Sequence, residues 1–248
     1  MSTIYILWLR QIKRYLRSRS RIIGSLGQPI LFLVALGFGF GPIFQRAGQG
    51  SYIEYLAPGI IAMSILFTAI FSGMEMIWDR QFGFLKETLV APVPRINIMI
   101  GRVLGGATAA LFQGIIVLII SIIIGFHIYS YYLLLLTLVF MALISLFFTA
   151  LGTAIASTLS DFQGFQLIIN FIVMPVFFLS GALFPLKGLP AALNFVAIID
   201  PLSYGVDGLH YTLTGISHFG VGIDFVVLSV ITIAVMIIGS YLFSKIEV

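Results

Sequence analysis

The chain has 248 residues, of which 60% are hydrophobic and 9% charged, with a formal net charge of +4 and no cysteine; its mean hydropathy is +1.14. A soluble domain carries about 25% charged residues because its surface faces water, so this composition excludes one and implies a surface that faces lipid. The missing cysteines exclude disulfide staples, thiolate metal sites and thiol nucleophiles. The cations are sorted along the chain rather than gathered on one face, which excludes a nucleic-acid footprint.

The first element reads as an amphipathic helix within residues 1–21. Ile4, Trp8, Ile12, Tyr15 and Leu16 recur at helical spacing while Arg10, Lys13, Arg14 and Arg17 take the other face, the pattern of a helix lying on an inner leaflet rather than of a cleaved signal. Six apolar stretches follow, over Ile22–Phe44, Leu56–Ile77, Ile96–Phe126, Tyr132–Thr158, Phe165–Phe184 and Ile223–Phe243. Each reaches the roughly 20 residues that a helix needs to cross a hydrocarbon core. Between the fifth and sixth lies a segment, 185–222, whose apolar runs Pro190–Ile199 and Leu202–Leu213 are too short to cross; such lengths predict re-entrant or interfacial helices. The fold class is all-α integral membrane: one transmembrane domain over 1–248, with six spans, an inner-leaflet helix before them and an extracellular re-entrant pair before the last.

Orientation follows from lysine and arginine. Arg10, Lys13, Arg14, Arg17, Arg19 and Arg21 precede the first span; Arg80, Lys86, Arg95 and Arg102 flank the second-to-third connection, and Lys245 follows the last. Only Arg46 and Lys187 lie opposite. Basic residues stay in the cytoplasm, so both termini are expected inside a plasma (inner) membrane and the 185–222 segment outside.

The spans carry no energy source of their own. Glu75, Asp79, Arg102 and Asp161 fall near expected cytoplasmic ends, within reach of headgroups, and no span has a carboxylate at its centre, where ion-coupled carriers keep theirs. Gln113, Ser145 and Asn170 are uncharged and read as interhelical hydrogen bonds. No GxxxxGK[ST] loop cradles a phosphate, no HExxH or GxSxG occurs, and His127, His210 and His218 are too scattered for a zinc helix and read as interfacial residues. No catalytic residue, resident cofactor or metal site is therefore expected. What remains is a pathway driven by a separate subunit, with a passive channel or a membrane scaffold as the alternative.

Two segments carry the functional reading. In Trp78–Leu89, followed by Pro92 and Pro94, Asp79 is placed to cap a short helix on which Leu85 and Leu89 stack, a peg that projects into the cytoplasm. In 179–210, Gly181, Pro185 and Pro190 break helix, and Pro201 opens another after an Asp200 cap, so two half-helices close the outward face. An ordinary loop is the alternative for each.

These residues resemble the type-2 ABC transporter permeases, and among them the drug-resistance permeases typified by the membrane subunit of the daunorubicin exporter. The likeness lies in Leu56-Ala57-Pro58-Gly59-Ile60, in Asp79-Arg80 with Gly83 and Pro92 to Arg95, and in 179–185 and 200–207. With the span layout it covers nearly the whole chain. The resemblance implies that 79–90 is a coupling helix touching a nucleotide-binding ATPase subunit, with Asp79, Arg80, Gly83, Phe84, Lys86 and Glu87 as its contacts. It implies an outer gate built from Gly181, Pro185, Pro190, Pro201, Tyr204, Asp207 and His210. A second permease protomer, in the simplest case an identical one, completes the path, and ATP and magnesium belong to the partner ATPase. Gln81 and His210 depart from the family, which often has an acidic residue and commonly an arginine there. Phe38, Phe40, Phe67, Phe71, Phe177 and Phe178 are candidates to line a route for a hydrophobic or amphipathic cargo: a drug-like molecule, a lipid or a lipid-linked glycan.

Overall fold

The computed structural model describes residues 2–46, 51–84, 88, 90, 92–159, 161–188 and 190–246. Among them the chain is helical and has no strand: α1 Thr3–Arg17, α2 Arg19–Arg46, α3 Tyr52–Gln81, α4 Arg95–Ile124, α5 Leu134–Thr158 after a short 3-10 turn, α6 Phe162–Leu179, α7 Ala191–Ile199, α8 Pro201–Thr214 and α9 Val221–Ser244. Six of these, α2 to α6 and α9, are long and apolar enough to cross a membrane; even the 18 residues of α6 reach about 27 Å at roughly 1.5 Å per residue. The six expected spans thus lie where their composition put them, within a few residues.

The layout centres on α3. In its most apolar stretch 78% of residues are buried, against 17% in α2, 22% in α6 and 17% in α9, so α3 is the axle and those three form the rim. Small residues bring the backbones together. A Cβ at Gly73 of α3 would strike the Gly152 backbone of α5, and one at Gly106 of α4 would strike Ser72 and Thr149. Without a hydrophobic drive between helices in lipid, such close approach supplies the packing energy.

The first helix is docked as well as amphipathic. Ser2 caps it by accepting from the Tyr5 N–H, and it packs lengthwise on α4. Gly101 and Gly105 form the groove: Cβ atoms there would meet Leu7 and Gln11. Trp8 Nε1 donates to Thr108 at 3.0 Å and Tyr15 OH to Gln113 Oε1 at 2.7 Å.

Three local expectations change. Asp79 does not cap a short helix, because α3 continues through it to Gln81 and turns only at Phe82 and Gly83, where φ is 82°. The fifth span stops at Leu179, five residues before Phe184, since Gly181 takes a φ of 78°. Ser145 bonds not across helices but back to Met141 O in its own.

Candidate functional site

At the end of the bundle that carries α1, four helices meet in an ion cluster. Asp79 and Glu75, one turn apart on α3, are both buried. Asp79 accepts from Arg102 of α4 at 2.5 Å, with side-chain exposures of 4% and 5%. Arg14 of α1 stands 3.4 Å from Asp79 and 3.6 Å from Glu75, Arg10 lies 3.9 Å from Asp79, and Arg21 of α2 pairs with Glu75. Two carboxylates therefore bind four guanidinium groups and tie α1, α2 and α4 to the end of α3. Removing Asp79 would leave the buried Arg102 uncompensated, which is far costlier than losing a surface pair, whereas the partners of Glu75 are half-exposed.

Further bonds fasten the same end. Arg80 donates to Leu159 O, where α5 ends, and Arg95 donates to Ser244 O and Ile246 O beyond α9. Trp78 stacks on Phe162 of α6 with rings parallel and 6.0 Å apart. Where α3 leaves the bundle, Phe82 and Phe84 are exposed. Thr88 Oγ1 donates to Phe84 O at 2.9 Å. Lys86, Glu87, Leu85 and Leu89 lie outside the described residues.

Above the cluster, α2, α3, α4 and α6 surround a cavity of about 640 Å³. Its wall is mostly apolar, with Met63, Phe67, Phe71 and Met74 from α3 and Met174 from α6, and its polar groups include Gln28, Ser64 and Asn170. Ser64 Oγ is buried without a hydrogen-bond partner. The charged groups at its floor, Arg21 and Glu75, neutralise each other. The expected path-lining rings divide. Phe67 stacks with Phe71 at 6.2 Å and approaches Phe177 at 6.4 Å, and Phe177 touches Phe178 at 5.5 Å. Phe38 and Phe40 instead lie on the outer surface of α2.

The opposite end is built differently. Tyr52 and Tyr55 open α3 and hold the turn after α6 by donating to Leu183 O and Gly181 O, at 2.8 and 2.5 Å. Gly59 makes room for it, since a Cβ there would collide with the Ala182 backbone; this is the physical content of the Pro58-Gly59 pair. Pro190 and the Asp200–Pro201 pair start α7 and α8, with Asp200 Oδ1 accepting from Leu202 N–H at 2.9 Å. Tyr204 OH donates to Ile198 O and closes the hairpin between them. The two short helices fare unequally: α8 is buried along nearly its whole length, α7 only at Ala197.

Gly181, Pro185, Asp207 and His210 share the wall of a second cavity of about 340 Å³. His210 is buried rather than interfacial. Its Nε2 lies 3.0 Å from Tyr55 O; a carbonyl only accepts, so this nitrogen carries the hydrogen. Burial pushes its pKa down to about 4, against the pull of Asp207, so the ring is neutral near pH 7. Burial likewise pushes Asp200 up to about 7, against its bond from Leu202. Asp207 accepts from the His218 and Phe219 N–H groups and from Ser217 Oγ, which folds the loop before α9.

The sequence reading missed Asp224. It is wholly buried in the first turn of α9, and neither oxygen meets an N–H or O–H donor; its polar neighbour is the Asp207 carboxyl.

Residues 2–214 match the family described as ABC-2 type transporter. The chain is similar to the inner membrane transport permease YadH of Escherichia coli, 29% identical over 238 residues that cover 94% of this chain and 91% of the relative. It is also similar to nodulation protein J of Rhizobium leguminosarum bv. viciae, 30% identical over 78% of this chain and 75% of that one. The putative transport permease ycf38 of Porphyra purpurea is 30% identical over 79% of this chain and 68% of the relative.

Proposed function

The chain belongs to the ABC-2 type transporter family, and from that premise we propose that this membrane permease subunit works outward, as the pathway half of an ATP-driven exporter. Its cargo is a hydrophobic or amphipathic compound: drug-like, a lipid or a lipid-linked glycan. Two copies pair with two ATPase subunits that bind the ATP and magnesium. The cationic end faces the cytoplasm of a cell whose plasma (inner) membrane holds the chain, which places both termini inside and α7 and α8 toward the outer face.

The 640 Å³ cavity carries this reading. Its wall is apolar and aromatic, its charges are internally paired, and a buried hydroxyl, Ser64, is left for a ligand. Such a site favours an apolar body with a few hydrogen-bonding groups over an inorganic ion. Coupling fits the other end. Asp79 is turned into the ion cluster and Arg80 toward Leu159, so their contribution is to hold α3 rigid, while Phe82, Gly83 and Phe84 at its exposed tip are available for an ATPase groove.

The test is ATP-dependent accumulation of a hydrophobic dye in inside-out vesicles carrying the chain and its ATPase. The expected result is uptake that needs ATP and whose half-saturating dye concentration rises about tenfold in Phe67→Ala/Phe71→Ala, from the loss of two half-buried rings that line the cavity. Uptake that ignores ATP would identify a passive channel, and a complex without turnover would identify a scaffold.

A further inference from the structure

Among the described residues, the cationic end holds more positive charge than its carboxylates neutralise. Four guanidinium groups share Glu75 and Asp79, so two charges remain over within the cluster. Lys13, Arg17 and Arg19, exposed on α1 and at the start of α2, add three, and among the described residues none of them has a carboxylate in ion-pair reach.

The excess is organised along a groove. An open trough of about 830 Å³ follows the outer face of α1. At one end it is lined by Lys13, Arg14 and Arg17 with the hydroxyls of Ser18 and Ser20, and at the other by Tyr5 and Ile6. The opposite face of α1 is committed to α4 through Leu7, Gln11 and Tyr15, so the trough faces away from the bundle. Cations and hydroxyls beside an apolar wall are complementary to one chemistry, a phosphate joined to a hydrocarbon chain.

We propose that this trough is a binding site for an anionic phospholipid, its phosphodiester at Lys13, Arg17 and the Ser18–Ser20 turn and its chain along Tyr5 and Ile6. The site rests on the reading of the chain as a membrane permease with α1 at the headgroup level, but not on the identity of the motor or the cargo. An acidic protein surface would meet the cations but leave the apolar end unmatched. The lipid supplies counter-charge to Lys13, Arg17 and the cluster's two excess guanidinium groups and anchors α1 next to the cluster that grips α3.

Trp8 reports on the trough from one turn away, its ring 5.6 Å from that of Tyr5, and Trp78→Phe makes it the sole tryptophan. The full chain is placed in phosphatidylcholine vesicles containing either dibrominated phosphatidylglycerol or dibrominated phosphatidylcholine, and Trp8 quenching is measured against mole fraction. Phosphatidylglycerol should reach half-maximal quenching at an about tenfold lower fraction. One basic residue near an anionic surface is worth about fivefold, so Lys13→Gln should cut the preference about fivefold and Lys13→Gln/Arg17→Gln/Arg19→Gln should abolish it. Arg17→Lys/Arg19→Lys should keep it, and about 1 M salt should weaken it in the unsubstituted groove. Equal quenching by the two lipids, or a preference that survives the triple substitution, overturns the proposal. No ATPase is in the assay, so failure of the exporter reading leaves the lipid result standing, and the reverse.

Discussion

The two ends of the helix bundle solve the same problem, a buried pair of acidic side chains, in opposite ways. Glu75 and Asp79 are surrounded by four arginines drawn from α1, α2 and α4. Asp207 and Asp224 have no cation in ion-pair reach among the described residues; backbone N–H groups and a serine hydroxyl hold Asp207 instead, and Asp224 is buried beside it without a donor. The resemblance leads one to expect an arginine at position 210, and here it is a neutral histidine bonded to Tyr55 O. The contrast teaches that one end is clamped by charge across sequence-distant helices and the other is folded by short-range donors, so the ends differ in what breaks them.

The largest effect belongs to the charged end. Asp79→Leu strands Arg102 in the interior and should cost about 3–5 kcal/mol, read as a large fall in unfolding temperature in detergent. Asp79→Leu/Arg102→Met should regain most of it; a double variant as unstable as the single one would show that the pair is not the unit. Next comes the far end. Asp207→Ala leaves two N–H groups and a hydroxyl unpaired and should cost about 2–3 kcal/mol, whereas Asp224→Asn, whose amide can donate to Asp207, should change stability by less than about 0.5 kcal/mol. Equal losses from both would show that Asp224 holds this end as firmly as Asp207 does. Tyr15→Phe, which frees Gln113 from its partner on α1, should cost about 1 kcal/mol.

The mildest effect is that of pH on the neutral end. The unfolded chain protonates His210 below about 6.5 and the native one only near 4, so its contribution is lost as pH falls from 6.5 to 4. Asp200 keeps its proton up to about 7 in the native state but loses it near 3.8 when unfolded, so its contribution is lost as pH rises from 3.8 to 7. The two slopes oppose, so these two groups together add little net pH dependence between pH 4 and 6.5. Asp200→Asn, which keeps the helix cap, should become less stable on acidification, and His210→Gln more stable. Parallel profiles for both variants would contradict these assignments.

Much of this was legible from residue order. The spans follow from apolar length, and α7 and α8 from Pro190 and Asp200–Pro201, because caps and breakers act within a few residues. The ion cluster was not, since Asp79 meets Arg102 and Arg14 across 23 and 65 residues, and a carboxylate before a loop reads locally as a cap. The docking of α1 had a signal, Gly101 and Gly105 four apart beside Thr108, which is a small-residue seam. Asp224 gave none: one acid at the start of a span looks interfacial until α8 is known to cover it.

The central claim is that this chain is a pathway gripped at its charged end by a motor on another subunit. The most direct measurement is ATP turnover by the chain purified alone and with its ATPase, before and after Phe82→Ala/Phe84→Ala at the tip of α3. The account predicts no turnover alone, robust turnover in the complex, and loss of both partner binding and turnover in the double variant while its thermal stability is retained. Turnover by the isolated chain, or a complex indifferent to the tip, would contradict it.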